Sequence, residues 1–134
     1  MTREAFLLDM LEYYCVNPVE RRCASRGTCK YSPKSLQLTT SEGCAIGRKL
    51  DPDIAFKIDE DQWDINVSSL IREAHYKLPA YMNLENKGFF ESCQYLHDMC
   101  DFWDSRGLSN RGKIQVESMI LDNALDITKF EKFL

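Results

Sequence analysis

A cysteine, two glycines and a basic pair occur together in the segment Gly43-Cys44-Ala45-Ile46-Gly47-Arg48-Lys49. Backbone amides exposed at glycines, next to two cations, are typical of a turn that binds a small anion. The alternative is a tight turn with solvated cations, because glycines permit sharp turns without any ligand. An upstream basic residue and a tyrosine could lie opposite this turn. The predicted ligand-binding residues are therefore Lys30, Tyr31, Arg48 and Lys49.

The same segment does not have the pattern of a nucleotide-hydrolysing loop. A P-loop places four residues between its glycines, continues with Lys and Ser or Thr, and follows an apolar strand. Here three residues separate Gly43 from Gly47, Arg48 and Lys49 come next, and a polar segment precedes them. The sequence therefore argues against nucleotide hydrolysis and leaves binding of a small anion open.

A thiol beside a histidine is the second combination with chemical potential. Nucleophilic catalysis needs a thiolate, a base that activates it and a third group that orients the base. Cys44 or Cys29 could supply the thiolate and His97 the base, while Asp98 or Asp101 could accept the imidazole N–H. The alternative is that these side chains fill the core, because free cysteines and histidines beside apolar faces are often buried.

A metal site is not expected. Zinc sites typically place ligands in close pairs such as Cys-x2-Cys, and the sequence contains no such pair. Cys93, His97 and Cys100 share one face of a predicted helix and could converge on zinc. We favour the interpretation that they line the core, so neither a metal nor a cofactor is predicted.

Charge is unevenly distributed, although the formal net charge is only -4. Residues 20–50 carry an excess of about five positive charges and residues 51–64 an excess of about five negative charges. These neighbouring segments could pair with each other or present a basic face to an anion. The overall acidity, and a single aromatic residue within 20–50, argue against a nucleic-acid partner.

Size and composition indicate one domain covering residues 1–134. The 134 residues are 44% hydrophobic, which is enough to build a core. No apolar run approaches the roughly 18 residues of a membrane helix, and the amino terminus lacks the pattern of a signal peptide. The six cysteines are too few for a disulfide scaffold and are expected as free thiols. We therefore expect a cytoplasmic protein without a membrane partner.

Hydrophobic periodicity predicts a mainly α (α+β) fold. Helices are expected at about 3–16, capped by Thr2, at 52–57, capped by Asp51, and at 67–76, 89–105 and 111–125, with an acidic loop at 59–64. A small β-hairpin near residues 28–46 should pack on the 89–103 part of the long helix. The apolar stripes of the last two helices are predicted to be Phe89, Cys93, Leu96, Cys100 and Trp103, and Ile114, Ser118, Leu121 and Leu125.

Three short motifs resemble a loose group of small phage and prophage proteins. They are Cys29-Lys30-Tyr31, residues 43–50 followed by Pro52-Asp53, and Gln94-Tyr95-Leu96-His97-Asp98. Members of that group carry Cys-x-Tyr, Cys-Ala-x-Gly and Leu-Gln-x-x-His-Asp elements, and the likeness covers roughly residues 23–103. The resemblance implies a phage-encoded protein in the cytoplasm of the host cell and no particular reaction.

Three functional hypotheses follow. The leading one is a non-enzymatic phage accessory protein that binds a host protein or a small anionic signal molecule through the basic turn. An alternative is a Cys-His hydrolase or transferase built from Cys44 or Cys29 with His97. Another alternative is an oligomeric structural component, in which the aromatic tail at 130–134 docks on a neighbouring copy.

Overall fold

A computed structural model of the chain describes residues 1–22, 30–33, 43–62 and 65–134, and these residues are mainly helical. The α-helices are α1 (Arg3–Tyr14), α2 (Pro18–Arg21), α3 (Pro52–Asp61), α4 (Val67–Glu73), α5 (Lys87–Asp98) and α6 (Asn110–Asp122). Short 3-10 segments occupy Gly47–Lys49, Leu84–Asn86, Cys100–Phe102 and Ile127–Phe133. The mainly α fold predicted from the sequence is confirmed. None of the described helices has the length and apolar character needed to cross a bilayer.

A small antiparallel hairpin pairs β1 (Trp103–Asp104) with β2 (Gly107–Leu108), and Trp103 lies opposite Leu108. Its position differs from the predicted one near residues 28–46. Residues 30–33 and 43–46 contain no strand. The Cys44 N–H donates to the Lys30 carbonyl at 3.0 Å, but the Tyr31 N–H donates to the Asp59 side chain instead of continuing a ladder. The remainder of the predicted hairpin lies outside the described residues.

Side-chain caps determine where most of the helices begin. Thr2 and Asp51 accept N–H groups from the first turns of α1 and α3, as predicted, and Asn66 and Ser109 do the same for α4 and α6. Helix α3 continues to Asp61, so residues 59–61 of the predicted acidic loop are helical.

Helix α5 ends earlier than the apolar stripe suggested. The stripe predicts a helix to residue 105, but the chain becomes extended at Met99, directly after Asp98. Trp103 still packs on the helix because the chain folds back, and its indole N–H donates to the carbonyl of Leu96 at 2.7 Å. Cys100, which the stripe placed in the core, is exposed.

Helix α6 presents a different face to the core from the one predicted. Ile114 is 66% exposed and Leu121 is 81% exposed, so these two residues of the predicted stripe face outward, whereas Leu125, beyond the end of the helix, packs against the core. The buried residues are Gly112, Val116, Met119 and Ile120. The reason for this rotation lies at Gly112, where a Cβ would come within 2.0 Å of the Phe102 carbonyl oxygen. Only a residue without a side chain permits this close approach.

The C-terminal segment docks on its own chain. Phe130 is fully buried in the core. Lys129 bonds to Glu4 and Lys132 to Glu12, so both lysines attach the segment to α1. The hydrogen bond from Lys129 is the main cause of the lowered pKa of Glu4. Phe130 therefore packs inside its own chain, and in this structure it is not exposed for the predicted docking on a neighbouring copy.

Candidate functional site

The two glycines of the basic turn allow a close contact between chain segments. A Cβ on Gly47 would lie 1.9 Å from the carbonyl oxygen of Tyr31, and one on Gly43 would lie 2.2 Å from the same atom. Gly43 also has a φ of +97°, which side chains rarely adopt. Tyr31 is only 3% exposed. The glycines therefore form a packing contact instead of an open cradle for an anion.

The backbone amides near Tyr31 already bind a carboxylate of the same chain. The N–H groups of Tyr31 and Ser32 donate to the two carboxylate oxygens of Asp59 at 3.0 and 2.8 Å. The Tyr31 hydroxyl donates to the carbonyl of Ile65 at 2.7 Å and accepts from the Gln94 amide at 3.3 Å. The segment is thus fixed between α3 and α5, and its amides are occupied by an internal anion.

The cations of the basic turn face an internal carboxylate as well. Arg48 and Lys49 lie 3.1 and 2.8 Å from Asp9 of α1. The Arg48 guanidinium also stacks on an aromatic ring of α1 at 3.7 Å, and its side chain is 8% exposed. Lys30 is 7% exposed. The prediction that Lys30, Tyr31, Arg48 and Lys49 form a corner open to solvent is wrong, because burial and ion pairing turn these groups inward.

Of the two predicted partners of His97, Asp98 is the one that contacts the imidazole. The His97 Nδ1 atom lies 2.8 Å from Oδ1 of Asp98. Asp101 instead binds Arg111 at 3.0 Å. His97 has no solvent exposure, and its ring packs edge-on against Tyr14 at 4.9 Å between centroids. The imidazole is therefore a core group that a carboxylate orients.

The proposed thiol nucleophiles do not form an accessible site with this histidine. Cys44 is 1% exposed, and its sulfur accepts the N–H of Gly47 at 3.3 Å. Cys29 lies outside the described residues. Because a substrate cannot reach Cys44 or His97 from solvent, the geometry does not support Cys-His catalysis built on these two residues.

The three residues considered for zinc also diverge. Cys93 and His97 are buried on α5, whereas Cys100 is exposed beyond the end of that helix. Burial raises the pKa of the Cys93 thiol well above its ordinary value, as expected for an inert core thiol. Among residues 1–22, 30–33, 43–62 and 65–134 there is no cluster of His, Cys, Asp or Glu suited to a metal ion.

Alkylation of the folded protein should distinguish these thiols. With iodoacetamide near neutral pH, we expect Cys100 to be labelled before Cys15, and Cys44 and Cys93 only after unfolding, because reaction requires an exposed thiolate. Peptide mapping by mass spectrometry gives the order, with a urea-unfolded sample as control. Early labelling of Cys44 in the folded protein would contradict its burial and revive the catalytic hypothesis.

A cleft of about 340 Å³ lies elsewhere, between the end of α1, the hairpin, the start of α6 and the C-terminal segment. Its charged walls are formed by Arg106 from the hairpin, Lys113 from α6 and Lys132 from the C-terminal segment, with Asp104 as the carboxylate among them. Cys15 and Phe133 contribute less polar surface. The cleft thus has more positive than negative charge.

The cations of this cleft are only loosely paired. The Arg106 side chain is 89% exposed, with a nitrogen 3.7 Å from Asp104. Lys132 binds Glu12 at 2.8 Å, but both side chains are mostly exposed. Exposed ion pairs of this kind contribute little, typically up to about 1 kcal/mol each. An incoming anion can therefore replace the internal carboxylates at small cost.

The cleft is poorly suited to acid–base or nucleophilic chemistry. Burial raises the pKa of the Cys15 thiol to about 11, so it stays protonated and unreactive near neutral pH. No histidine is found among the described residues that line the cleft.

This cleft was not predicted from the sequence. Its cations at positions 106, 113 and 132 belong to three separate elements and do not form a local run of charge. Only the rotation of α6 and the docking of the tail bring them together. The one available signal was Gly112, a glycine inside a helical pattern, which usually has a packing reason.

Comparison of the chain with protein-family models, curated proteins and solved structures finds no significant match. Functional conclusions for this protein therefore depend on its own geometry and charge.

Proposed function

We propose that this protein is a non-enzymatic binding protein for a small anionic molecule, and that the anion binds in the cleft of Arg106, Lys113 and Lys132. The observation that carries the proposal is the concave site itself, which is lined by three cations from three elements and one carboxylate. The leading hypothesis from the sequence named a host protein or a small anionic signal molecule as the ligand and placed it on a different surface. The phage origin and cytoplasmic setting implied by the resemblance remain predictions.

Binding without catalysis is favoured by the side chains that surround the cleft. Lysine and arginine attract and orient anions at any physiological pH, because they stay charged. The cleft thiol is neutral, as its pKa of about 11 indicates. Its volume of about 340 Å³ is within the range of about 300–1,000 Å³ common for small-molecule sites.

An NMR titration with pyrophosphate tests this proposal. We expect the amide signals of Gly107, Leu108 and Lys113 to shift, and the affinity to fall steeply between low and physiological salt. The double variant Arg106→Ala/Lys113→Ala should bind at least about tenfold more weakly, since hydrogen bonds to charged groups contribute about 1.5–3 kcal/mol each.

The matched control is Lys57→Ala/Lys77→Ala, which removes the same net charge at exposed positions outside the cleft. It should keep the affinity of the wild type to within about twofold, because neither lysine lines the cleft and exposed charges are screened by salt. Equal weakening in both double variants would show that only net charge matters, and the proposed site would then be abandoned.

A further inference from the structure

We infer that the ligand of this cleft is a phosphate monoester on a hydroxylated ring that also carries an aromatic group, which is the chemistry of a ribonucleoside monophosphate. This inference rests on the proposed function and specifies its ligand. Three features of the cleft lead to it: an acceptor among the cations, an apolar ring at one side, and a second depression that continues the first.

The acceptor is Asp104. One of its carboxylate oxygens accepts the backbone N–H of Arg106 at 2.8 Å, and the side chain remains 37% exposed. A carboxylate has about four lone-pair directions, so it can accept further hydrogen bonds. Beside a simple anion this negative charge is repulsive. Its presence is useful if the ligand also offers hydroxyl groups, as the vicinal diol of a ribose does.

The apolar ring is Phe133, which is partly buried at the boundary between two depressions. The second depression has a volume of about 430 Å³ and adds two residues to the lining: Val16, which is 68% exposed, and Glu12, whose carboxylate pairs with Lys132. An inorganic anion would leave this region unfilled. A planar base can stack on a phenylalanine ring, and such stacking contributes about 1–3 kcal/mol per base.

The cations of the cleft could bind a phosphate group placed between Asp104 and Phe133. Arg106 and Lys132 line both depressions, and Lys113 lines the first. Lys132 lies at the junction, with its Nζ 5.0 Å from the centre of the Phe133 ring. A phosphate monoester is close to doubly charged at neutral pH, so it can bind two or three cations at once. The sugar hydroxyls then reach Asp104 and the base reaches Phe133.

Three ligands that carry successively more of the proposed chemical groups test this inference by calorimetry or NMR titration. They are pyrophosphate with charge only, ribose 5-phosphate with charge and hydroxyls, and AMP with charge, hydroxyls and a base. We expect affinity to rise in that order, with AMP at least about tenfold tighter than ribose 5-phosphate, as one stacked base allows.

Two variants test which residues cause the increases in affinity from pyrophosphate to ribose 5-phosphate and from ribose 5-phosphate to AMP. Asp104→Asn should tighten pyrophosphate binding, because it removes a negative charge. Relative to pyrophosphate, it should weaken ribose 5-phosphate and AMP by about tenfold, because it also removes a charged acceptor for their hydroxyl groups. Phe133→Leu should weaken AMP by about tenfold and leave ribose 5-phosphate unchanged. Melting curves of both variants show whether each remains folded at the titration temperature.

The outcomes separate this inference from the proposed function. If pyrophosphate binds in the cleft but AMP and ribose 5-phosphate bind no tighter, the anion site stands and the nucleotide inference fails. If Asp104→Asn strengthens all three ligands alike, the carboxylate is only repulsive, and the inference fails again. If none of the three probes binds the wild-type protein, both proposals fail.

Discussion

Gly47→Ala is expected to lower the free energy of unfolding by about 3 kcal/mol, near the upper end of typical overpacking costs. The added Cβ would lie 1.9 Å from the carbonyl oxygen of Tyr31 and 2.6 Å from its carbonyl carbon. These atoms belong to the backbone, which Asp59 holds through the amides of Tyr31 and Ser32. The segment cannot move away without breaking those bonds. Urea denaturation followed by circular dichroism measures the loss.

The matched control is Gly88→Ala, in α5, where an added Cβ has no neighbour within 4 Å. Here alanine should stabilise the protein by about 0.5–1 kcal/mol, because it favours the helix and restricts the unfolded chain. If Gly47→Ala were as stable as Gly88→Ala, the turn would have room for a side chain. The glycines would then be available for a role in binding instead of packing.

Phe130→Ala should be the most destabilising change in the C-terminal segment, at about 3–5 kcal/mol. Phe130 has no solvent exposure, so truncation removes a complete aromatic side chain from the core and leaves a cavity. The variant should also lose the cleft, because Lys132 and Phe133 follow directly on the same segment. Chemical denaturation measures the stability, and size-exclusion chromatography of the folded variant reports its oligomeric state.

Ile127→Ala is the control in the same segment. Ile127 is 49% exposed, and its truncation should change stability by no more than about 0.5 kcal/mol. If Phe130→Ala kept its stability but eluted as a smaller species than the wild type, the tail would dock on a neighbouring copy. That result would favour the oligomeric hypothesis over the docking on α1 observed here.

Local chemistry allowed several parts of the fold to be predicted. Thr2 and Asp51 cap helices because their side-chain oxygens lie next to unpaired N–H groups, which depends on neighbours in sequence alone. The pairing of His97 with Asp98 was one of the two that the sequence offered, the other being with Asp101. The basic segment 20–50 and the acidic segment 51–64 do contact each other, because Asp59 accepts the backbone N–H of Tyr31. The cation Arg48, however, pairs with Asp9 of α1 and not with the acidic segment.

The face of a helix was harder to predict than the helix itself. On α6 both Ile114 with Leu121 and Val116 with Ile120 have helical spacing, so periodicity alone could not choose between these faces. The close contact of Gly112 with the Phe102 carbonyl decided it. The apolar stripe past Asp98 likewise predicted a longer helix than the structure has. The chain folds back after Asp98, so Trp103 donates to the Leu96 carbonyl from a separate strand.

The sequence by itself determined the mainly α character, the starts of the capped helices and the absence of a P-loop pattern, since these depend on residues that are close along the chain. The tertiary structure alone decided which cations face solvent. Arg48 and Lys49 both pair with Asp9, whereas Arg106, Lys113 and Lys132 line a cleft. The physical reason is that ion pairing and burial depend on distances in space, which the packing of the core sets.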